Sequence, residues 1–389
     1  MASKLVLEGK DKNGKGTLYA PNSKGQFVEI TLADGATVSP GDELEDDRPD
    51  FMGGAAGENY VDGPALITTA ATGDVYLWAQ ANGQESLFVY DPKSNSSWEV
   101  QGTVGTDPDD LVEYNGVVYF NAVNIQGLVV QPQDYQLFQT VETGNPATGA
   151  SAVTSSGYVP YNPSSMVVYK DALYMNAQDS NGNYDLYDYN TVQFTTAGPV
   201  FKEIGPANLN PTDMTVAGSD LFMNGYNGSA NNLYVYNPSM SQPELIDSES
   251  RNSTDAEGNH GLDPIDIVAS PAPPAGDSVI FFSGVKDVAG DRNLYETKVS
   301  AAGVPSTEAA EGGGVGGHPS NLDPYDLTAA GKYIYFTGND VNSSNGRGLY
   351  VLDAATNTYE EVLKSSQWNL ENGTNGDNGY NTTWGNLRG

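Results

Sequence analysis

The 389-residue sequence contains no cysteine, two histidines and five arginines. Without thiols there is no disulfide framework, no thiolate nucleophile and no Cys-ligated metal. Two histidines leave a Ser-His-Asp triad few ways to form, and HExxH, GxSxG and CxxC strings are all missing. Basic residues are scarce as well: 17 Lys+Arg face 50 Asp+Glu, a formal charge of -33. Phosphate backbones and anionic headgroups are bound chiefly through Lys and Arg, so nucleic acid and acidic membrane are poor partners. No run of 18 apolar residues occurs, and the N-terminal MASKLVLEGKDKNGKG has no apolar segment. The chain is therefore expected to carry neither a spanning helix nor a Sec signal.

Turn residues and aromatics are plentiful, with 45 Gly, 22 Pro and 24 Tyr, and they recur in order. Pro-x-Asp, an apolar residue, an aromatic run, a Gly/Asn/Asp turn and a segment like LYVY return along the chain. The members are DPDDLVEYNGVVYF from Asp107, NPSSMVVYKDALYM from Asn162, NPTDMTVAGSDLFM from Asn210, DPIDIVAS from Asp263 and DPYDLTAAGKYIYF from Asp323, with a weaker copy from Gly63. Proline and strand aromatic lie 11 residues apart for Pro108 and Tyr119, Pro163 and Tyr174, Pro211 and Phe222, and Pro324 and Tyr335. For Pro264 and Phe281 the distance is 17, and PAPPAG accounts for the excess as a longer turn.

Each copy reads as four short strands, because β-branched and aromatic runs of four to six residues are punctuated by Asn-Gly-like turns and no 3.6-residue apolar period appears. The predicted fold is all-β: a single domain over 1–389, a seven-bladed β-propeller of four-stranded antiparallel blades. The blades are expected near 63–101, 107–142, 162–205, 210–247, 263–300 and 323–364. The seventh joins 4–32 to a strand from the C-terminal 382–389, with six blades as the alternative count. Leu387 would then precede Val6 by eight positions, the gap that separates Met214 from Phe222.

Residues 323–353, DPYDLTAAGKYIYFTGNDVNSSNGRGLYVLD, resemble the ELWxxDGT-type repeat of β-propellers in bacterial secreted and surface proteins. The resemblance lies at the level of the repeat. Gly-Leu-Tyr at 348–350 and Asn-Leu-Tyr at 232–234 replace Glu-Leu-Trp, and Asp-Gly-Thr is missing. It implies an extracellular or cell-surface location and a binding role, and it supplies no catalytic residues.

Long connectors at 33–63, 142–161, 247–262, 302–322 and 364–384 would emerge on one face of such a fold, where binding residues concentrate. That face would gather Tyr60, Tyr158, Tyr161, His260, His318, Trp368, Tyr380 and Trp384 as a ligand-binding surface, since flat aromatics with a polar handle suit sugars and peptides. The same residues equally serve to cover blade ends. Asp179, Asn181, Asn183 and Asp185 alternate oxygen donors as a Ca2+ site would, although Gly182 stands at the fourth place and no Glu at the twelfth. Turn chemistry explains the same string. Asp110, Asp213, Asp266 and Asp326, each two residues after a proline, read as Asx caps of their own turns; a shared cation near the channel mouth is the other reading.

GKDKNGKG at 9–16 lacks the final Ser/Thr of a P-loop, and no helix follows GGGVGG at 312–317. The expected function is thus a non-catalytic, secreted or surface-displayed propeller that binds an extracellular glycan or protein. Ca2+ is the one cofactor contemplated. A Ca2+-dependent polysaccharide hydrolase or lyase and a structural virion or surface-assembly component are the alternatives.

Overall fold

The computed structural model describes residues 7–10, 16–21, 27–29, 66–68, 73–81, 84–91, 93–106, 108–123, 135–142, 148–153, 159–195, 198–246, 262–285, 292–312, 322–339 and 347–363. Every regular element among them is a strand. β1 (Leu7–Lys10), β2 (Gly16–Pro21) and β3 (Phe27–Glu29) form a three-stranded antiparallel sheet. Six sheets built on four antiparallel strands follow in chain order, the last with a fifth, parallel strand added, a propeller-like arrangement of repeats. They are β4 (Leu66–Thr68), β5 (Val75–Ala81), β6 (Gln84–Asp91) and β7 (Ser96–Glu99); then β8 (Asp109–Tyr114), β9 (Val117–Val123), β10 (Tyr135–Glu142) and β11 (Thr148–Ala152). Next come β12 (Tyr161–Tyr169), β13 (Ala172–Gln178), β14 (Tyr184–Thr195) and β15 (Gly198–Ile204); β16 (Thr212–Ala217), β17 (Asp220–Tyr226), β18 (Asn231–Tyr236) and β19 (Glu244–Leu245); and β20 (Ile265–Ala269), β21 (Ser278–Val285), β22 (Arg292–Val299) and β23 (Pro305–Ala309). In the last sheet a short β24 (Glu311–Gly312) pairs parallel with β28 (Thr358–Leu363), beyond β25 (Tyr325–Ala330), β26 (Tyr333–Asn339) and β27 (Arg347–Asp353).

The repeat spacing in the sequence is a register. Val112 faces Tyr119, Thr215 faces Phe222 and Thr328 faces Tyr335, each pair being the fourth residue after proline and the strand aromatic. Val268 faces Phe281 in the same way, so the six extra residues of that copy are absorbed in the turn and leave the pairing unchanged.

Two compact units divide the chain: 1–168 with 196–198 and 380–389, and 169–195 with 199–379. In the second unit the core is built by period-2 alternation on central strands that are buried on both faces. Ile280 and Phe282 of β21 pack against Phe222, Leu233 and Val235 of the preceding sheet, while Val279 and Phe281 pack against Ile334, Phe336, Leu352 and Tyr359 of the following one. Phe222, Phe281 and Phe282 are fully buried, and each such ring contributes about 1.5–3 kcal/mol of transfer free energy. In the first unit Leu87, Val89 and Val118 with Phe120 and Phe138 form the corresponding layer.

Crowding from the third strand selects a glycine on the second. A methyl group on Gly225 would lie 2.8 Å from Leu209 Cδ1 and 2.9 Å from the Tyr234 ring. The glycine therefore makes room for the Tyr234 ring of β18 and for Leu209, the leucine that leads into Pro211 of the same repeat.

Candidate functional site: aspartates at the strand bulges

The first strand of a repeat carries a register shift at the aspartate after proline: between Asp109 and Val112, Thr212 and Thr215, Ile265 and Val268, and Tyr325 and Thr328. Asp110, Asp213, Asp266 and Asp326 sit in these bulges with φ of 49°, 48°, 53° and 58°. The residue before proline is left-handed too, at 46° in Asn162, 45° in Asn210, 40° in Asp263 and 46° in Asp323. A left-handed backbone costs an ordinary L-residue roughly 1–2 kcal/mol, and Asn and Asp tolerate it best among non-glycine residues. Two such positions flanking Pro-x explain why the motif reads Asn/Asp-Pro-x-Asp.

The backbone of this segment ties its own sheet to the preceding one. Leu209, Leu262 and Leu322 accept hydrogen bonds at 2.6, 2.7 and 2.7 Å from Tyr226, Val285 and Asn339, on the second strands of the sheets they lead into. The next residues, Asn210, Asp263 and Asp323, donate to the carbonyls of Tyr184, Asn231 and Arg292 at 3.0, 3.1 and 3.1 Å. Side chains extend the link: Asn176 Nδ2 donates to Asn210 Oδ1 at 2.9 Å, and Asn231 Nδ2 donates to Asp263 Oδ1 at 3.2 Å.

The bulge carboxylates point onward to the next repeat. Asp110 Oδ2 accepts the Ser165 N–H at 3.3 Å, Asp213 accepts the Asp266 N–H, and Asp266 Oδ2 accepts the Asp326 N–H at 2.9 Å. These bonds join residues 50 or more positions apart, whereas an Asx cap would have closed locally. Asp326 instead accepts from Thr337 Oγ1 of its own sheet at 3.3 Å. Arg292, 8% exposed, anchors the row: its NH2 is ion-paired with Asp263 Oδ2, and its NH1 donates to the carbonyls of Asp263 at 2.9 Å and Ser283 at 3.3 Å.

Burial, then the negative charge of Asp266, push the Asp213 carboxyl up to about 7; the Asp266 N–H and Arg292 act in the opposite direction. Asp213 as a residue is of intermediate exposure. Its carboxyl is the densely surrounded part, and the surroundings of the charged atoms set the desolvation. A carboxyl poised near neutrality beside a second acid is the outstanding titratable feature among the described residues.

Asp179 and its neighbours lie in the β13–β14 hairpin. Asp179 Oδ1 accepts the N–H groups of Asn181 and Asn183 at 2.7 and 2.8 Å, and Oδ2 accepts both side-chain amides at 3.0 and 3.1 Å. Asp185 is 1% exposed and accepts the Asn208 N–H at 2.6 Å, so its carboxyl is engaged away from the turn. Burial raises the pKa of Asp185. No group of three or more Asp, Glu and His suited to a metal occurs among the described residues. Tyr161 is the half-buried first residue of β12. Tyr60, Tyr158, His260, His318, Trp368, Tyr380 and Trp384 lie outside the described residues. Sequence reading missed the leucine before Asn/Asp-Pro and Arg292; the Leu-Asn/Asp-Pro string at 209–211, 262–264 and 322–324 was the available signal.

No family model and no curated protein matches this sequence. Solved structures do match in fold. A puromycin-hydrolysing peptidase of Mycobacterium tuberculosis is 10% identical over 94% of this chain and 52% of its own, with a TM-score of 0.55. A post-proline cleaving enzyme of Rickettsia typhi gives the same identity, coverage and TM-score. A prolyl endopeptidase is 11% identical over 93% of this chain and 50% of its own, at 0.51. The chain spans about half the length of these solved peptidases. They overturn the expectation of a non-catalytic binder, because these matching folds belong to enzymes. At such identities the likeness carries the fold, and no catalytic residue is transferred with it.

Proposed function

We propose that this chain is an enzyme-associated β-propeller, a rigid module that works with a hydrolytic centre acting on peptide or peptide-like amide bonds. The observation that carries the reading is the alignment of 94% of the chain with about half of a puromycin-hydrolysing peptidase. The links between successive sheets support the rigid module: Asn210, Asp263 and Asp323 each donate a backbone hydrogen bond to the preceding sheet, and such bonds are worth about 1 kcal/mol apiece. Within the same proposal the repeats close as seven blades; the recurrence of the Pro-x-Asp motif along the chain supports this finer assignment.

The test is hydrolysis of puromycin and of a fluorogenic Gly-Pro amide. Both are incubated with the purified chain, and with material that the immobilised chain captures from cells of its source. Amide cleavage by the chain or by the captured fraction, above a fraction captured on an unrelated propeller, is the expected result. Absence of cleavage from both overturns the proposal.

A further inference from the structure

In the second unit, the seam between the sheet of β16–β19 and that of β20–β23 carries Arg292 and Asp263 near the bulge and a second fastening at the far end of β16. There the β16–β17 turn at Gly218 and Ser219 sits against the start of β21. A methyl group on Gly218 would lie 2.6 Å from Ser278 Oγ and 3.1 Å from the Asp277 carbonyl oxygen, so a bare Cα is what lets the turn come this close. The Ser219 N–H donates to Ser278 Oγ at 3.2 Å, and the Ser278 hydroxyl donates in turn to Asp220 Oδ2 at 2.6 Å. Asn237, just after β18, donates its amide to Asp220 Oδ1 at 2.9 Å, and the Ser219 hydroxyl reaches Oδ2 at 3.3 Å. From the preceding sheet, the Tyr169 hydroxyl donates to the Ser219 carbonyl, and the Tyr169 ring packs on Tyr174 of β13 with centroids 5.5 Å apart. Asp220, Ser278 and Tyr169 are all buried.

We infer that this turn is a latch that makes the central strands β13, β17 and β21 open as one cooperative unit. Ser219 is gripped by its carbonyl from one side and by its N–H from the other, so losing either bond frees the turn and weakens the other. Parting the sheets also strips Ser278 from the buried Asp220 carboxylate, and a buried acceptor that loses its donor costs more than the bond itself contributes. Networks that share partners in this way couple groups that never touch.

The test is a double-mutant cycle on the full chain, Tyr169→Phe with Ser278→Ala, read by thermal unfolding. Each single substitution is expected to lower the midpoint by roughly 2 °C, and the pair by clearly less than the sum. Tyr169→Phe combined with Thr307→Val, which removes a hydroxyl paired with Thr297, is the control and should be additive. Additive losses for Tyr169→Phe and Ser278→Ala overturn the latch, and so does an equal departure from additivity in the control. Should the double variant fail to fold, native-state hydrogen exchange of the wild type decides. Amides of β13, β17 and β21 that share one opening free energy and one urea dependence support the latch, and separate values for each strand overturn it. Both measurements read unfolding alone, so their outcome is independent of any hydrolytic activity.

Discussion

Asp179 and Asp213 are the same side chain in opposite circumstances. Asp179 tips an exposed hairpin and takes four hydrogen bonds from residues within four positions of itself. Its slight burial acts upward on the pKa, but the bonds from Asn183 and Asn181 outweigh that and hold the carboxyl below its usual range. Asp213 is fixed by a backbone bulge, serves an N–H that lies 53 positions ahead, and is pushed up by burial and by Asp266. A carboxylate that completes a turn is thus stabilised as the anion, whereas one that fastens two buried sheets favours the acid. The pH dependence of the two regions should therefore run in opposite directions.

The contrast is broken most severely at the cation of the seam. Asp263→Ala leaves Arg292 buried without its carboxylate and places alanine at a φ of 40°, so a loss of about 3–4 kcal/mol is expected in urea unfolding. Asp263→Asn, which keeps the left-handed preference, should lose less, and an equal loss for both would assign the effect to charge alone. Next in size is Gly225→Ala. The added methyl meets Leu209 and Tyr234 at less than 3.0 Å, and overpacking of about 1–3 kcal/mol follows. The hairpin gives the smallest effect: Asp179→Ala should cost about 1 kcal/mol at neutral pH. Since the Asp179 pKa is depressed in the fold, its stabilisation is present above the unfolded 3.8 and is lost as pH falls below it. The urea midpoints of Asp179→Ala and wild type should converge as the pH is taken below 3.8. A gap that stays constant as the pH falls would remove the electrostatic account of the turn.

Much of the fold was legible because a strand register is a one-dimensional quantity. The constant separation of Pro108 from Tyr119, Pro211 from Phe222 and Pro324 from Tyr335 is the pairing of first and second strands written along the chain. The PAPPAG insertion could be assigned to a turn since it leaves that pairing intact. The site was less legible. Asp after Pro-x looks like a local cap at every copy, because both roles ask for a short acceptor that tolerates positive φ. Which N–H it serves depends on a neighbour some 50 residues away, and nothing in the spacing states that neighbour's distance. Arg292 was overlooked for the same reason, as it occupies the position of Tyr184 and Asn231 in sister repeats.

The sequence by itself determined the all-β character, the repeat and the places where the backbone turns left-handed. These follow from residue periodicity and from the conformational tolerance of Asn, Asp and Gly, which act within a few residues. Only the tertiary structure decided that the carboxylates of Asp110, Asp213 and Asp266 bind the following repeat, that Arg292 pairs with Asp263, and that burial pushes the Asp213 carboxyl up. Those properties depend on desolvation and on charges brought together from distant segments, and such terms exist only once the sheets have packed.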